Sequence, residues 1–295
     1  MKTVEPYQQA VLLGIAAGFF ARLYMLRTDY RQYPTYPHGR VIHLALGFIA
    51  ACLGAVAVPS FAEKDFTAVT FLTLAAQQFR DVRNMEREML STMDRNELVP
   101  RGSTYIEGIA MVFEGRNYLV IFTALVVSLF TYVFHWWWGL VMGVAGLFLD
   151  RLWMSGQSVG HIAHVQAAPI QFKGPLLYVD DIVIMNVGLT TNRRLIEERG
   201  IGIVLIPKNE DARITLSHLG QRQAILHDAT TILGTYRDSG TPALMPLAKL
   251  DLENGRVGIL LLPQEKDVEK AIRLIRRVPV LESAVRRPSQ AAVNR

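Results

Sequence analysis

Apolar residues in this chain come in blocks. Stretches 10–25, 41–62, 118–134 and 136–149 are apolar nearly throughout, and a shorter fifth, 66–79, carries Thr67, Thr70 and Thr73. A straight membrane-spanning helix needs about 20 apolar residues, which 41–62 meets and the others approach. Lipid offers backbone groups no water, so such blocks fold as helices whose hydrogen bonds close internally. After Arg151 the blocks give way to charged sequence with turn signals. The mean hydropathy of +0.22 is high for a soluble protein. The expected fold class is therefore a multi-span α-helical membrane domain followed by a soluble α+β domain. The membrane domain is placed at 1–154, with about five short transmembrane helices and cytoplasmic loops at 27–40 and 80–117. The cytoplasmic domain follows at 155–288, and 289–295 is expected to be a disordered tail.

The arginines argue for five spans. If 66–79 crosses, Arg27, Arg31 and Arg40 share a side with Arg80, Arg83, Arg87, Arg95, Arg101, Arg116 and Arg151. The positive-inside bias then puts the N-terminus outside and the C-terminal domain in the cytoplasm. Four spans would split the two Arg-rich regions. Arg22, near a helix end, is expected to snorkel to the headgroups. Gly14 with Gly18, Gly47 with Ala51 and Gly139 with Gly143 have the spacing that lets helices approach closely, inside the bundle or in a homodimer. The N-terminus lacks a cleavable signal pattern, so 10–25 is expected to stay as an anchor. The single cysteine, Cys52, permits no internal disulfide. The net charge of +5 comes without an aromatic-interleaved basic patch, which excludes a nucleic-acid partner.

The second half reads as short strands and amphipathic helices. Stretches 168–172 and 176–185 are expected as strands around the turn Lys173-Gly174-Pro175. A strand at 201–207, helix at 211–233, strands at 243–252 and 256–263 around Glu253-Asn254-Gly255, helix at 265–277 and strand at 279–285 follow. That order is β-α-β-β-α-β, the ferredoxin-like arrangement.

Several residues carry chemistry in principle. Asp238-Ser239-Gly240-Thr241 has the form of an aspartic-protease loop, where two carboxylates share one proton, and one copy per chain would need a dimer. The same residues followed by Pro242 also make a favourable turn. Asp180 and Asp181 are adjacent acids that a strand would point to opposite faces. His227 and Asp228 are neighbours on a helix and diverge likewise. His161 and His164 lack a third ligand, so no metal is expected, and no motif calls for a cofactor.

Two loops, a helix and the C-terminal half carry a family likeness. Tyr105-Ile106-Glu107-Gly108-Ile109-Ala110 resembles the signature of the YIEGIA family, membrane proteins of endospore-forming bacteria named after this hexapeptide. Leu26 to Gly39, Gln78 to Glu86, Tyr178 to Asp181 and Gly220 to Asp228 are similar to that family too. The resemblance implies a membrane protein of sporulating Firmicutes and supplies no catalytic residues. The expected function is a sporulation-associated membrane protein, regulatory or scaffolding through its cytoplasmic domain, with the bilayer and a protein partner, and a homodimer as a further option. A membrane-anchored aspartic-type protease acting as a dimer is the alternative.

Overall fold

The computed structural model describes residues 5–29, 37–79, 81–153, 156–238 and 241–290. Most of the Arg/Tyr/Pro-rich first loop lies outside the described residues. The chain divides into two units, Met1–Arg87 with Ile109–Ser155, and Glu88–Gly108 with Gly156–Arg295. Segment 88–108 thus groups by contact with the C-terminal half.

The first unit holds α1 (Pro6–Asp29), α2 (Pro37–Ala62), α3 (Phe66–Phe79), the start of α4 (Val82–Asp94), most of α5 (Ser103–Val133) and α6 (Trp136–Trp153). Among the described residues three helices are long and apolar enough to cross a membrane: α1, α2 from Gly39, and α5. α6 has 18 residues and α3 has 14. Asp65 starts α3 by accepting from the Thr67 and Ala68 amides at 3.1 and 3.0 Å. Thr70 and Thr73 turn their hydroxyls onto Phe66 O and Val69 O, so their polarity is satisfied within the helix.

Small residues set how closely the helices approach. A Cβ on Gly14 would lie 2.8 Å from Ala55 Cβ, and one on Gly18 would lie 2.9 Å from both Ala51 and Ala124 Cβ. Gly139 faces Thr131, and Gly143 faces Ala17 and Val127. These glycines act within the bundle, joining α1, α2, α5 and α6.

Arg22 corrects the snorkelling expectation. It is fully buried, its stem packs on Gly47, and its Nη1 donates to Asp29 Oδ2 at 2.7 Å. Arg116 Nε reaches the other oxygen of Asp29 at 3.1 Å, and Arg22 lies 5.2 Å over the Phe113 ring. His43 stacks on that ring and sits 3.6 Å from Glu86. Turning inward lets one carboxylate serve two guanidiniums, because an unpaired ion at this depth is costly.

In the second unit a four-stranded antiparallel sheet runs β1 (Ala163–Ala168), β5 (Ile201–Pro207), β9 (Val257–Leu261) and β8 (Leu247–Leu250). α7 (Val159–Ile162), α9 (Glu210–Ser217), α10 (Leu219–Leu233) and α11 (Val268–Arg277) supply the helices. α10 and α11 cover one face with Ile225, Ala229, Ala271 and Ile275. A three-stranded meander of β2 (Ile170–Lys173), β3 (Leu176–Val179) and β4 (Ile182–Asn186), with α8 (Thr190–Arg199), covers the other through Leu177, Val179, Ile184 and Ile196. β5 and β9 are covered on both faces, which is why they read as unbroken apolar runs. β6 (Arg237–Asp238) and β7 (Thr241–Pro242) form a separate two-stranded pair.

The order departs from the expected one at the sheet edge. The strand expected at 279–285 does not form, and β1 lies beside β5 instead. Pro279 makes only an isolated bridge to Ser158, and Glu282–Ala284 is a 3-10 turn. The helix expected over 211–233 breaks at His218 into α9 and α10, with Asn209 capping α9 through the Ala212 amide at 2.8 Å.

Candidate functional site

Two of the family-like segments meet in the C-terminal unit. Asp94 prepares the start of α5: its oxygens accept from the Arg101 and Gly102 amides at 2.6 and 3.1 Å. The Arg101 guanidinium pairs with Glu97 at 3.2 Å. Gly102 takes φ +83°, and any Cβ there would run into the Gln223 side chain. Gln223 Oε1 accepts from the Tyr105 amide at 3.2 Å, satisfying one of the first-turn donors of α5.

One turn further along α10, His227 donates from Nδ1 to Val99 O at 2.7 Å. Its ring meets the buried Tyr105 ring edge-on at 6.4 Å. Gly220 packs on Thr104 O, and Gly108 on Ser283. Gln221, fully buried, donates to Pro279 O at 3.1 Å and accepts from the Leu281 amide at 2.7 Å. Tyr105, Gly108 and the 220–228 segment are thus parts of one junction. Ile106, Ile109 and Ala110 are buried on α5, and Glu107 is half-buried in its second turn.

His227 and Asp228 come to this junction without pairing with each other. Burial holds the His227 imidazole below its ordinary range, and the nearby Arg101 charge acts the same way. Burial pushes the Asp228 carboxyl up to about 7, against the attraction of Arg101. Beside the junction an open cleft of about 720 Å³ is lined by Asn96, Val99, Thr231, Thr235 and Arg237 among others.

Asp180 and Asp181 correct the strand expectation. They form the turn between β3 and β4, and Asp180 takes φ +60°. Leaving the strand lets both converge on Arg256, at 3.1 and 2.6 Å, where Asp251 joins at 3.2 Å. Hydrogen bonding to Asp181 raises the Arg256 pKa further, and Asp181 is held below its ordinary value by the same bond. The guanidinium occupies the place a cation would take, so this cluster is an internal ion pair joining two turns.

Asp238 pairs with Thr241 through the β6–β7 backbone, while Ser239 and Gly240 lie outside the described residues. His161 accepts from Ser158 Oγ at 2.8 Å as part of a helix cap, and His164 is exposed on β1. Among the described residues no three His, Cys, Asp or Glu side chains could share a metal ion.

Sequence reasoning missed Gln223, Gln221 and Asp94. The first two stand inside the 220–228 segment, and polar residues alternating with apolar ones on a helix signal a docked face. Arg22 and Asp29, seven apart on α1, signalled a shared face as well.

No solved structure matches this chain. It is 52% identical over 292 residues to YphB of Bacillus subtilis (strain 168), described as an uncharacterised protein, covering 99% of this chain and 98% of that one. The family model described as YIEGIA protein matches residues 10–291. With nearly the whole length matched, the chain belongs to the YIEGIA protein family.

Proposed function

We propose that this chain is a sporulation-associated protein of the cell membrane that works through its C-terminal domain, as a regulatory or scaffolding element. In this reading it spans five times, with the N-terminus outside and the domain in the cytoplasm. The domain is a ferredoxin-like variant in which β1 takes the edge of the missing fourth strand, and it recruits a protein partner or senses a ligand.

One observation carries the reading. The hexapeptide and the 220–228 segment are held together by Gln223, Gly102 and His227, and α5 continues from that junction into an apolar stretch long enough to span. A partner or ligand that alters α10 therefore acts on a helix anchored in the bilayer. None of the groups at the junction is arranged as nucleophile and base, which favours coupling over catalysis.

The test is complementation of a deletion strain at matched membrane levels of protein. Gln223→Ala is expected to lower sporulation several-fold and to reduce the partners captured from detergent-solubilised membranes. Asp238→Asn is expected to match wild type. If Asp238→Asn alone reproduces the deletion while Gln223→Ala rescues fully, the aspartic-type reading replaces this one.

A further inference from the structure

A straight groove of about 540 Å³ runs between α2, α3 and α5. Leu53, Ala57 and Phe61 line it from α2 at intervals of four, so they share one helix face. Val69, Thr73 and Gln77 line it from α3 at the same interval, and the groove therefore follows the helix axes. From Leu53 to Phe61 the helix rises about 12 Å, so the groove extends over about two helical turns.

Its two ends differ in polarity. The α2–α3 turn closes the end at Phe61 and Val69. α5 runs alongside α2 in the same direction, since Gly54 packs on Ile121 O and Tyr132 reaches Glu63. Tyr118 therefore lies at the Leu53 end, together with Gln77, and both side chains are exposed. Thr73, the other polar residue of the wall, has turned its hydroxyl onto Val69 O. The walls are apolar and one end offers an amide and a phenol. That is the polarity of an amphiphile.

We infer that the groove binds one acyl chain of a membrane phospholipid, with the glycerol-ester oxygens against the Gln77 amide and the Tyr118 hydroxyl. This rests on the membrane reading above. Helices α2 and α5 meet lipid in that reading, and ordinary bulk lipid would touch Phe122 or Val144, which are exposed outside the groove.

The experiment uses the full chain, extracted from membranes in detergent and washed, with bound phospholipid counted by mass spectrometry. Wild type is expected to retain about one phospholipid per chain. Ala57→Phe and, separately, Ala76→Leu fill the groove and are expected to lose it, with elution and melting behaviour unchanged. Val144→Phe places the same ring outside the groove and is expected to retain it. Gln77→Ala with Tyr118→Phe leaves the cavity and is expected to speed lipid exchange several-fold. Equal retention by Ala57→Phe, Ala76→Leu and wild type overturns the proposal. So does a lipid-free wild-type dimer that Ala57→Phe converts to monomer, since a second copy then fills the groove. A wild-type chain absent from the membrane fraction removes the membrane reading and this one with it; a membrane-bound chain without lipid removes this one alone.

Discussion

His227 and Asp228 are neighbours whose burial acts with opposite sign on stability. Asp228 titrates near 7 in the folded chain and near 3.8 in an ordinary environment, so between those values the folded form holds a proton the unfolded form has released. Its contribution is complete below the ordinary value and is lost as pH rises towards about 7, at no more than about 1.4 kcal/mol per pH unit. His227 is depressed below 6.5, so the unfolded chain takes up a proton first and stability is lost as pH falls below 6.5. Asp228→Asn is therefore expected to flatten the fall in Tm between about pH 4 and about pH 7, and His227→Gln to remove the loss on the acid side. Melting curves of the detergent-solubilised chain across that range read both. Curves parallel to wild type in both variants would show that neither group senses the junction. Sequence offered the two residues as a pair and was silent on where each points. The deciding partners, Val99 and Arg101, stand more than a hundred positions away, and no local pattern reveals a contact of that range.

At the scale of elements, legibility followed local chemistry. The β2–β3 turn at Lys173-Gly174-Pro175 and the β8–β9 turn at Gly255 form as expected, each with its glycine at positive φ. Helix starts at Asn209 and Asp267 carry side-chain caps. The exchange of the 279–285 strand for β1 was not legible. In 279–285 the apolar residues are suited to a strand, but the Val280 amide goes to Gln157 O and the Leu281 amide to Gln221, so neither is free for a ladder. β1 is half exposed and contains three alanines, a weak strand signal, and it is selected by pairing with β5 from Gly202 to Pro207. A side chain also reaches the edge strand β1: Arg276 donates to Val165 O at 3.2 Å. Close pairing of β1 with β5 depends on Gly202, where a Cβ would lie 2.5 Å from Ala168 O. Gly202→Val is expected to destabilise the domain by about 1–3 kcal/mol, as overpacking does. Gly188→Ala, with nothing within 4 Å of an added Cβ, is expected to be neutral. Hydrogen exchange localises the effect: amides of 163–168 lose protection in the first variant and keep it in the second. Uniform exchange across the sheet would place the strain elsewhere.

For the whole molecule, the number of spans turns on α3. By length and composition three helices among the described residues qualify as spans, and α3, with 14 residues, rises only about 21 Å against a hydrocarbon core of about 30 Å. Charge argues the other way, because crossing by α3 gathers the arginines of both connecting regions on one side. The turn at Lys64 and the α4 end at Arg95 flank α3, and both residues are exposed. If α3 crosses, they face opposite compartments; if it lies along the bilayer, they face the same one. Replacing Cys52 by Ala removes the chain's only thiol, and Lys64→Cys or Arg95→Cys then introduces a single probe. In intact cells a membrane-impermeant maleimide is expected to label the Lys64→Cys variant and to spare the Arg95→Cys variant until the membrane is opened. Equal labelling of both before opening would leave α3 on the membrane surface. It would also place the arginines of the α1–α2 connection and those of α4 on opposite sides, so the charge argument for a cytoplasmic C-terminal domain would have to be rebuilt from α6 and Arg151 alone.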